Sequence, residues 1–164
     1  MSGLEVKEIS VTYKNGYTAL TDTTFSLPKN TITALVGVNG SGKSTLFKAI
    51  MGFLSVSGGS IKIFDSSVSQ ALKKNQVAYV PQSEDIDRNF TVLVEDVVMM
   101  GRYGAMNILR CPRESDIQAV KDAIKRVDLI ELSSTPIGNL SGGQRKRTFL
   151  ARAIAQRASI LLLD

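Results

Sequence analysis

The feature that most constrains this chain is the glycine-rich stretch GVNGSGKST, Gly37 to Thr45. It fits the pattern G-x-x-x-x-G-K-[ST], and it lies between the apolar run TITALVG and the helix-like KSTLFKAIMGF. Its glycines let the backbone curl so that successive N–H groups face an anion, and the helix start adds its positive end. The order strand, glycine loop, helix therefore predicts a site for the phosphates of a nucleotide.

Within this loop, different residue types are expected to hold different parts of the nucleotide. Lys43 can reach the β- and γ-phosphates, and the Ser44 hydroxyl can hold Mg²⁺. A Rossmann-type turn is the simpler alternative, but its glycines follow G-x-G-x-x-G, whereas this stretch has G-x-x-G-x-G followed by Lys-Ser. The residues expected to contact the nucleotide are Gly37, Val38, Asn39, Gly40, Ser41, Gly42, Lys43, Ser44 and Thr45. The loop alone does not choose among kinases, GTPases, motors and transport ATPases.

The pattern of the remaining chain is typical of an α/β domain with an antiparallel beginning. LEVKEISVTY and TDTTFSL read as strands separated by turn residues, and TITALVG reads as a strand buried on both faces. GGSIKIF, QVAYV and SILLL are further short strands, and SGGQRKRTFLARAIAQRA is a helix. From residue 91 a section of about 50 residues has helical periodicity, which predicts a helical subdomain. The apolar residues that recur there are Val94, Val97, Val98, Ile117, Val120, Ile124 and Val127.

Composition excludes several classes of site. Cys111 is the single cysteine, so no intramolecular disulfide forms, and the chain has no histidine, which excludes a Ser-His-Asp triad and a His-ligated zinc site. The N-terminus lacks the apolar segment of a secretory signal, and no stretch approaches the roughly 18 apolar residues of a membrane span. The net charge of +5 is compatible with an anionic ligand, a membrane surface or nucleic acid, and selects none of them.

A second anion site is predicted at LSGGQ, Leu140 to Gln144. Ser141 and Gln144 form a capping box, which satisfies the first N–H groups of a helix. Capping does not explain Gly142 and Gly143, because glycine in a helix costs up to about 1 kcal/mol relative to alanine. A hydroxyl and two glycines at a helix N-terminus suit an approaching anion.

With both motifs in one chain, the sequence resembles the nucleotide-binding subunit of an ABC transporter, whose signature motif is LSGGQ. The resemblance covers essentially all 164 residues. It implies an α/β fold with a P-loop NTPase (RecA-like) core, an N-terminal antiparallel β region and an inserted helical subdomain, incomplete at the C-terminus. As parts of one truncated domain, it implies a β region and P-loop core over 1–88, the helical subdomain over 89–140, and the signature helix and Walker B strand over 141–164.

The resemblance also implies roles for residues outside the loop, with ATP and Mg²⁺ as cofactors. Tyr13 would stack on adenine, although a strand aromatic packed in a small core is an alternative reading. Gln82 would be the Q-loop glutamine and Asp164 the Walker B aspartate, both near Mg²⁺, so that Lys43, Gln82 and Asp164 are the catalytic candidates. In a head-to-tail dimer, the residues that would contact the partner's ATP are Ser141, Gly142, Gly143 and Gln144.

The family's catalytic glutamate and switch histidine are not in this sequence. The resemblance therefore implies a chain cut inside its active site. We expect these 164 residues alone not to hydrolyse ATP at a useful rate, since a positioned general base supplies about 10²–10⁴-fold in rate.

The stretch YVPQSEDIDRNFTVLVEDVVMMGRYG, residues 79–104, is similar to bacterial import ATPases for manganese, iron (metal-chelate) and zinc, most nearly the manganese/iron type. Thr91 and Ala105 depart from the common pattern. The resemblance implies a homodimer at the cytoplasmic face of the inner membrane, polytopic permease subunits, a periplasmic or lipoprotein metal-binding protein, and no nucleic-acid partner. A soluble ABC-type ATPase of DNA repair or translation is one alternative, although the chain has no sustained heptads and a single phosphate loop. A non-functional fragment is the other.

Overall fold

Two long antiparallel strands begin the chain. The computed structural model describes residues 2–81, 91–107 and 109–164. Strand β1 (Ser2–Thr12) pairs with β2 (Thr18–Pro28), with Val6 opposite Phe25. The buried apolar residues of β1 are Leu4, Val6, Ile9 and Val11. Side chains alternate along a strand, and the register shift between Val6 and Ile9 keeps both pairs on the core side. The predicted antiparallel beginning is confirmed.

The strands β1 and β2 belong to a sheet of four. Strand β3 (Gly58–Ile63) pairs with the other edge of β1, and the two-residue β4 (Ser66–Ser67) follows it, in the order β2-β1-β3-β4. Helix α1 (Lys43–Ile50) starts at the phosphate loop, and a short helix α2 (Val68–Lys73) follows β4. These elements form one compact unit, which comprises the chain up to Val77 together with Asp164.

The prediction of a buried strand at TITALVG, residues 31–37, is wrong for this structure. No regular structure is assigned over 31–38, and Ile32 is fully exposed while Val36 is 88% exposed. A strand buried on both faces belongs to a sheet whose two faces are covered by helices. Within the described chain, this segment joins neither the four-stranded sheet nor the two-stranded sheet below.

A second compact unit spans Ala78–Leu163 and is mainly helical. Helices α3 (Val94–Met100), α4 (Glu114–Arg126) and α5 (Gly142–Ala155) pack around one apolar core. Strands β5 (Val77–Val80) and β6 (Ile160–Leu163) form a sheet of two. Short 3₁₀ turns lie at Tyr103–Ala105, Ile130–Leu132 and Ile137–Asn139.

The helical periodicity predicted the core of this unit. Val94 and Val98 are fully buried in α3, and Val120 and Ile124 are buried in α4. Ile117 is half-buried. Because three or four residues make one turn, these positions form a single apolar stripe on each helix.

The helices of the described chain are short. The longest of them, α5, has 14 residues, and α4 has 13. Crossing a bilayer takes about 20 mostly apolar residues. Among the described residues, no helix combines the length and the apolarity that a membrane span requires.

Candidate nucleotide-binding site

The phosphate loop turns into α1 at Gly42. This residue has φ +88°, in the left-handed region that favours glycine. A Cβ added there would lie 2.7 Å from Leu20 Cδ2 and 2.8 Å from the Ala19 carbonyl oxygen, so β2 packs directly against the loop. Glycine is therefore required at position 42 both for backbone conformation and for space.

The Lys43 ammonium lies over the loop that precedes it. Its Nζ donates to the carbonyl oxygens of Gly37 and Val38, each at 2.8 Å, and lies 3.4 Å from Ser41 Oγ. The Ser41 N–H donates to the Val38 carbonyl oxygen at 3.2 Å, which closes the turn. The loop therefore holds one positive charge at the position where its own backbone curls.

The remaining loop residues lie at its surface. Asn39 and Gly40 are exposed at the tip, and Gly40 has φ +84°. A Cβ on Gly37 would lie 2.6 Å from Ser41 Oγ, so the loop is tightly wound at its first glycine. Residues 37–42 thus form the turn ahead of α1, and Lys43, Ser44 and Thr45 form the first turn of the helix itself.

Two predicted magnesium ligands are brought together from distant parts of the chain. The Ser44 hydroxyl donates to Asp164 Oδ1 at 3.1 Å, across 120 positions of sequence. Within the described chain, no group of three or more His, Cys, Asp or Glu could hold a metal. One hydroxyl and one carboxylate are still a suitable donor set, because Mg²⁺ prefers oxygen ligands and is usually bound through one or two carboxylates, phosphates and water. The third candidate, Gln82, lies outside the described residues.

Tyr13 contacts the loop through its hydroxyl. Its Oη lies 3.0 Å from Thr45 Oγ1, and either oxygen can be the donor. Thr45 is buried in the first turn of α1, so its hydroxyl needs a partner. This hydrogen bond fixes the edge of the Tyr13 ring against the residue that follows Ser44.

The signature residues lie in the second unit, at the start of α5. Ser141 Oγ accepts from the Gln144 N–H at 3.3 Å, and Gln144 Oε1 accepts from the Ser141 N–H at 2.8 Å. The predicted capping box is present. A Cβ added to Gly142 or Gly143 meets no described atom within 4 Å. Neither packing within the described chain nor a positive φ accounts for these two glycines.

The far end of α5 is held by a buried ion pair. Arg102, which is 8% exposed, donates from Nε to Asp116 Oδ1 at 2.9 Å and from a terminal nitrogen to the Ala155 carbonyl oxygen at 3.0 Å. Asp116 Oδ2 accepts from the Arg113 N–H at 3.0 Å. The hydrogen bonds from the Arg113 backbone and the Arg102 side chain hold the pKa of Asp116 below its ordinary value.

Two further contacts fix the same three helices. Gly101, just after α3, lies so close to α5 that a Cβ there would collide with the Arg152 carbonyl oxygen. On α5, Arg147 donates to the carbonyl oxygens of Val127 at 3.1 Å and Asp128 at 3.4 Å, at the end of α4. Sequence reasoning did not single out Gly101, Arg102 or Asp116, since charged residues in a helical section are usually exposed. The dipeptide Gly101-Arg102, directly after the apolar helix α3, was the sequence signal that could have pointed to these contacts.

Known proteins resemble this chain over almost its whole length. The ABC transporter family matches residues 20–164. The chain is 60% identical to the chelated iron transport system membrane protein YfeB of Yersinia pestis, over 98% of this chain and 54% of that protein. It is 53% identical to the manganese transport system ATP-binding protein MntA of Synechocystis, over 98% of this chain and 62% of that protein. This chain therefore spans between half and two thirds of the length of these curated relatives.

Among solved structures, a metal-chelate type ABC transporter in an inward-facing conformation matches with a TM-score of 0.84. The identity is 30%, and the match covers 100% of this chain and 61% of that one. The α/β fold with a P-loop NTPase core and an antiparallel N-terminal sheet is confirmed. The family binds ATP, normally with Mg²⁺. The chain belongs to the ABC transporter family.

Proposed function

We propose that this chain is the ATP-binding subunit of an importer that couples ATP binding and hydrolysis to uptake of a metal ion or metal chelate. The observation that carries the ATP half is the hydrogen bond between Ser44 and Asp164, at 3.1 Å. It joins the start of the phosphate-loop helix to the predicted Walker B carboxylate, as a magnesium nucleotide site requires.

In this proposal, the loop from Gly37 to Thr45 surrounds the phosphates with backbone N–H groups. The Lys43 ammonium exchanges its hydrogen bonds to the carbonyl oxygens of the loop for hydrogen bonds to the β- and γ-phosphates, where it offsets negative charge. Tyr13 stacks on the adenine, held in place by its bond to Thr45. The open space at Gly142 and Gly143 supports a role for Ser141–Gln144 in contacting the ATP of a second subunit.

Ser44 and Asp164 would hold Mg²⁺ with Gln82 nearby, and the ion would neutralise charge on the phosphate oxygens when bound. The protein's own groups then have separate tasks. Lys43 orients the terminal phosphate, and the apolar run Ile160–Leu163 precedes the carboxylate of Asp164. The hydrolytic step also needs a general base, a role that the family gives to a glutamate.

The proposed assembly is a homodimer bound to polytopic permease subunits, with a periplasmic or lipoprotein metal-binding protein in the same system. The chain would then be peripheral at the cytoplasmic face of the inner membrane. Support comes from the named systems of the relatives, one for chelated iron and one for manganese. Manganese or iron is the proposed cargo, with zinc as the remaining candidate. The same relatives give no support to a role on DNA or the ribosome.

Uptake of radioactive manganese, iron and zinc by cells that lack the full-length gene tests the proposal. We expect the wild-type gene to restore uptake of manganese or iron and Lys43→Ala to fail. Lys48→Ala, which changes an exposed lysine in the last turn of the same helix, should restore uptake. Equal uptake with Lys43→Ala, or no effect of the wild-type gene on any of these metals, would contradict it.

A further inference from the structure

The turn between β1 and β2 presents a second aromatic residue beside Tyr13. The Tyr13 N–H donates to the Tyr17 carbonyl oxygen at 2.8 Å, and the Gly16 N–H donates to the Tyr13 carbonyl oxygen at 2.9 Å. The Tyr17 N–H in turn donates to Asn15 Oδ1 at 3.1 Å. These bonds close the turn and fix the positions of both tyrosines on one frame.

The two rings face each other. Their centroids are 6.4 Å apart, and their planes differ by 22°. Tyr17 is 59% exposed, so burial in a core does not account for its aromatic ring. A large exposed aromatic next to a ligand site is a common anchor for a flat ligand.

The pair is also tied to the phosphate loop. Tyr13 is hydrogen-bonded to Thr45, and the neighbouring β2 residues Ala19 and Leu20 pack against Gly42. Tyr17 precedes Thr18, the first residue of β2. The loop, the turn and both rings therefore belong to one fixed piece of structure in the first unit.

We propose that Tyr17 is a second base-binding residue, so that the adenine of the bound nucleotide packs against the Tyr13–Tyr17 pair and not against Tyr13 alone. The inference rests on the proposed function of the loop. Two nearly parallel aromatic faces suit a planar base, because base–aromatic stacking depends on overlap of flat surfaces. The bonds that close the turn make the pair available before the nucleotide arrives, which lowers the ordering cost of binding.

The test measures the affinities of full-length protein for Mg²⁺–ATP and for Mg²⁺–tripolyphosphate by isothermal titration calorimetry. Tripolyphosphate carries the phosphate chain without a base. We expect Tyr17→Ala to weaken ATP binding by about 5- to 10-fold, at the lower end of base–aromatic stacking because the ring is exposed. Tripolyphosphate binding should change by less than about twofold, since no base is lost.

Three variants control for other causes. Tyr17→Phe keeps the ring and should bind ATP as wild type does. Tyr17→Leu keeps apolar bulk and should behave like Tyr17→Ala while preserving the turn. Tyr103→Ala removes a less exposed tyrosine in the second unit and should change neither affinity.

The outcomes separate the inference from the function on which it rests. Unchanged ATP affinity in Tyr17→Ala and Tyr17→Leu would overturn the role of Tyr17, as would tighter binding, which would mean that its ring competes with the base for Tyr13. Equal weakening of ATP and tripolyphosphate would also overturn it, because the loop itself would then have changed. A wild-type protein that binds neither ligand would instead contradict the proposed function.

Discussion

The helices α1 and α5 both begin at a predicted anion site, yet they begin differently. Helix α1 starts at Gly42 in a left-handed conformation, and within the described chain no side chain caps it. Helix α5 starts at Ser141, whose hydroxyl and backbone are both engaged by Gln144. The charge at the first site is a lysine of the same loop, whereas the second site has two open glycines. Neither helix has an acidic residue in its first turn.

The difference shows two ways to prepare a helix start for an anion. At α1 no side chain of the described residues caps the helix, so the N–H groups of the curled loop are left for an anionic ligand to satisfy. At α5 the capping box already satisfies two backbone groups, so the helix is stable by itself and its glycines leave room for a group from outside. We expect changes at α1 to reduce ligand affinity and changes at α5 to reduce association between subunits.

The largest effect is expected at the far end of α5, where Arg102 holds the Ala155 carbonyl oxygen. Arg102→Leu should lower the free energy of unfolding of the second unit by about 3–5 kcal/mol, because it leaves the buried Asp116 carboxylate without its ion-pair partner. Urea unfolding followed by circular dichroism measures it. Arg126→Leu, an exposed arginine at the end of α4, is the control and should cost little. Equal stability of the two variants would show that α5 does not depend on this pair.

Next in size is the loss of the loop cation. Lys43→Ala should weaken ATP binding by full-length protein by about 10- to 100-fold, since hydrogen bonds with a charged group contribute about 1.5–3 kcal/mol and 1.4 kcal/mol is tenfold. Calorimetric titration with Mg²⁺–ATP measures it beside Lys48→Ala. If the Lys43→Ala protein kept wild-type affinity, the stretch from Gly37 to Thr45 would be only a turn.

A smaller effect is expected at the α5 start. Ser141→Arg should leave ATP binding by the monomer within about twofold and raise the dissociation constant of the ATP-bound dimer about tenfold, as an overpacked side chain costs about 1–3 kcal/mol. Analytical ultracentrifugation of full-length protein, with hydrolysis slowed, measures the dimer. Ser69→Arg, at an exposed serine in the first turn of α2, is the matched control. A Ser141→Arg protein that forms the dimer normally would show that the start of α5 takes no part in association between subunits.

The smallest effect concerns the dependence of folding stability on pH. Since the pKa of Asp116 lies below its ordinary value of 3.8, its carboxylate contributes stability that is fully present above that value. The contribution is lost as pH falls through the lowered pKa, because the unfolded chain takes up the proton first. The difference in urea midpoint between wild type and Asp116→Asn should therefore be constant near neutral pH and shrink only below 3.8. A difference that already shrinks at higher pH would argue against this account.

Local pattern predicted the parts of the fold that depend on neighbours in sequence. The spacing of Val94, Val97 and Val98 placed α3 and its buried face, and the Ser141–Gln144 spacing predicted the cap of α5. Gly40 and Gly42 were predictable because their left-handed backbone favours glycine.

The features that local sequence pattern did not predict depend on distant partners. The apolar run at 31–37 has the composition of a buried strand, but pairing depends on which strands lie beside it. The contact between Ser44 and Asp164 was inferred only by resemblance, and the bond from Tyr13 to Thr45 spans 32 positions. Arg102 and Asp116 could not be recognised as buried, because their burial follows from packing of three helices.

The arginine contacts between α3, α4 and α5 close into a ring. Arg102 after α3 binds the end of α5, Arg147 on α5 binds the end of α4, and Asp116 on α4 binds Arg102. No helix in such a ring can fray at its anchored end without releasing another. We therefore expect the amide protons of the three helices to exchange with solvent through one shared opening event, with one limiting rate for all of them. A force applied to any one of the helices would likewise act on the helical unit as a whole.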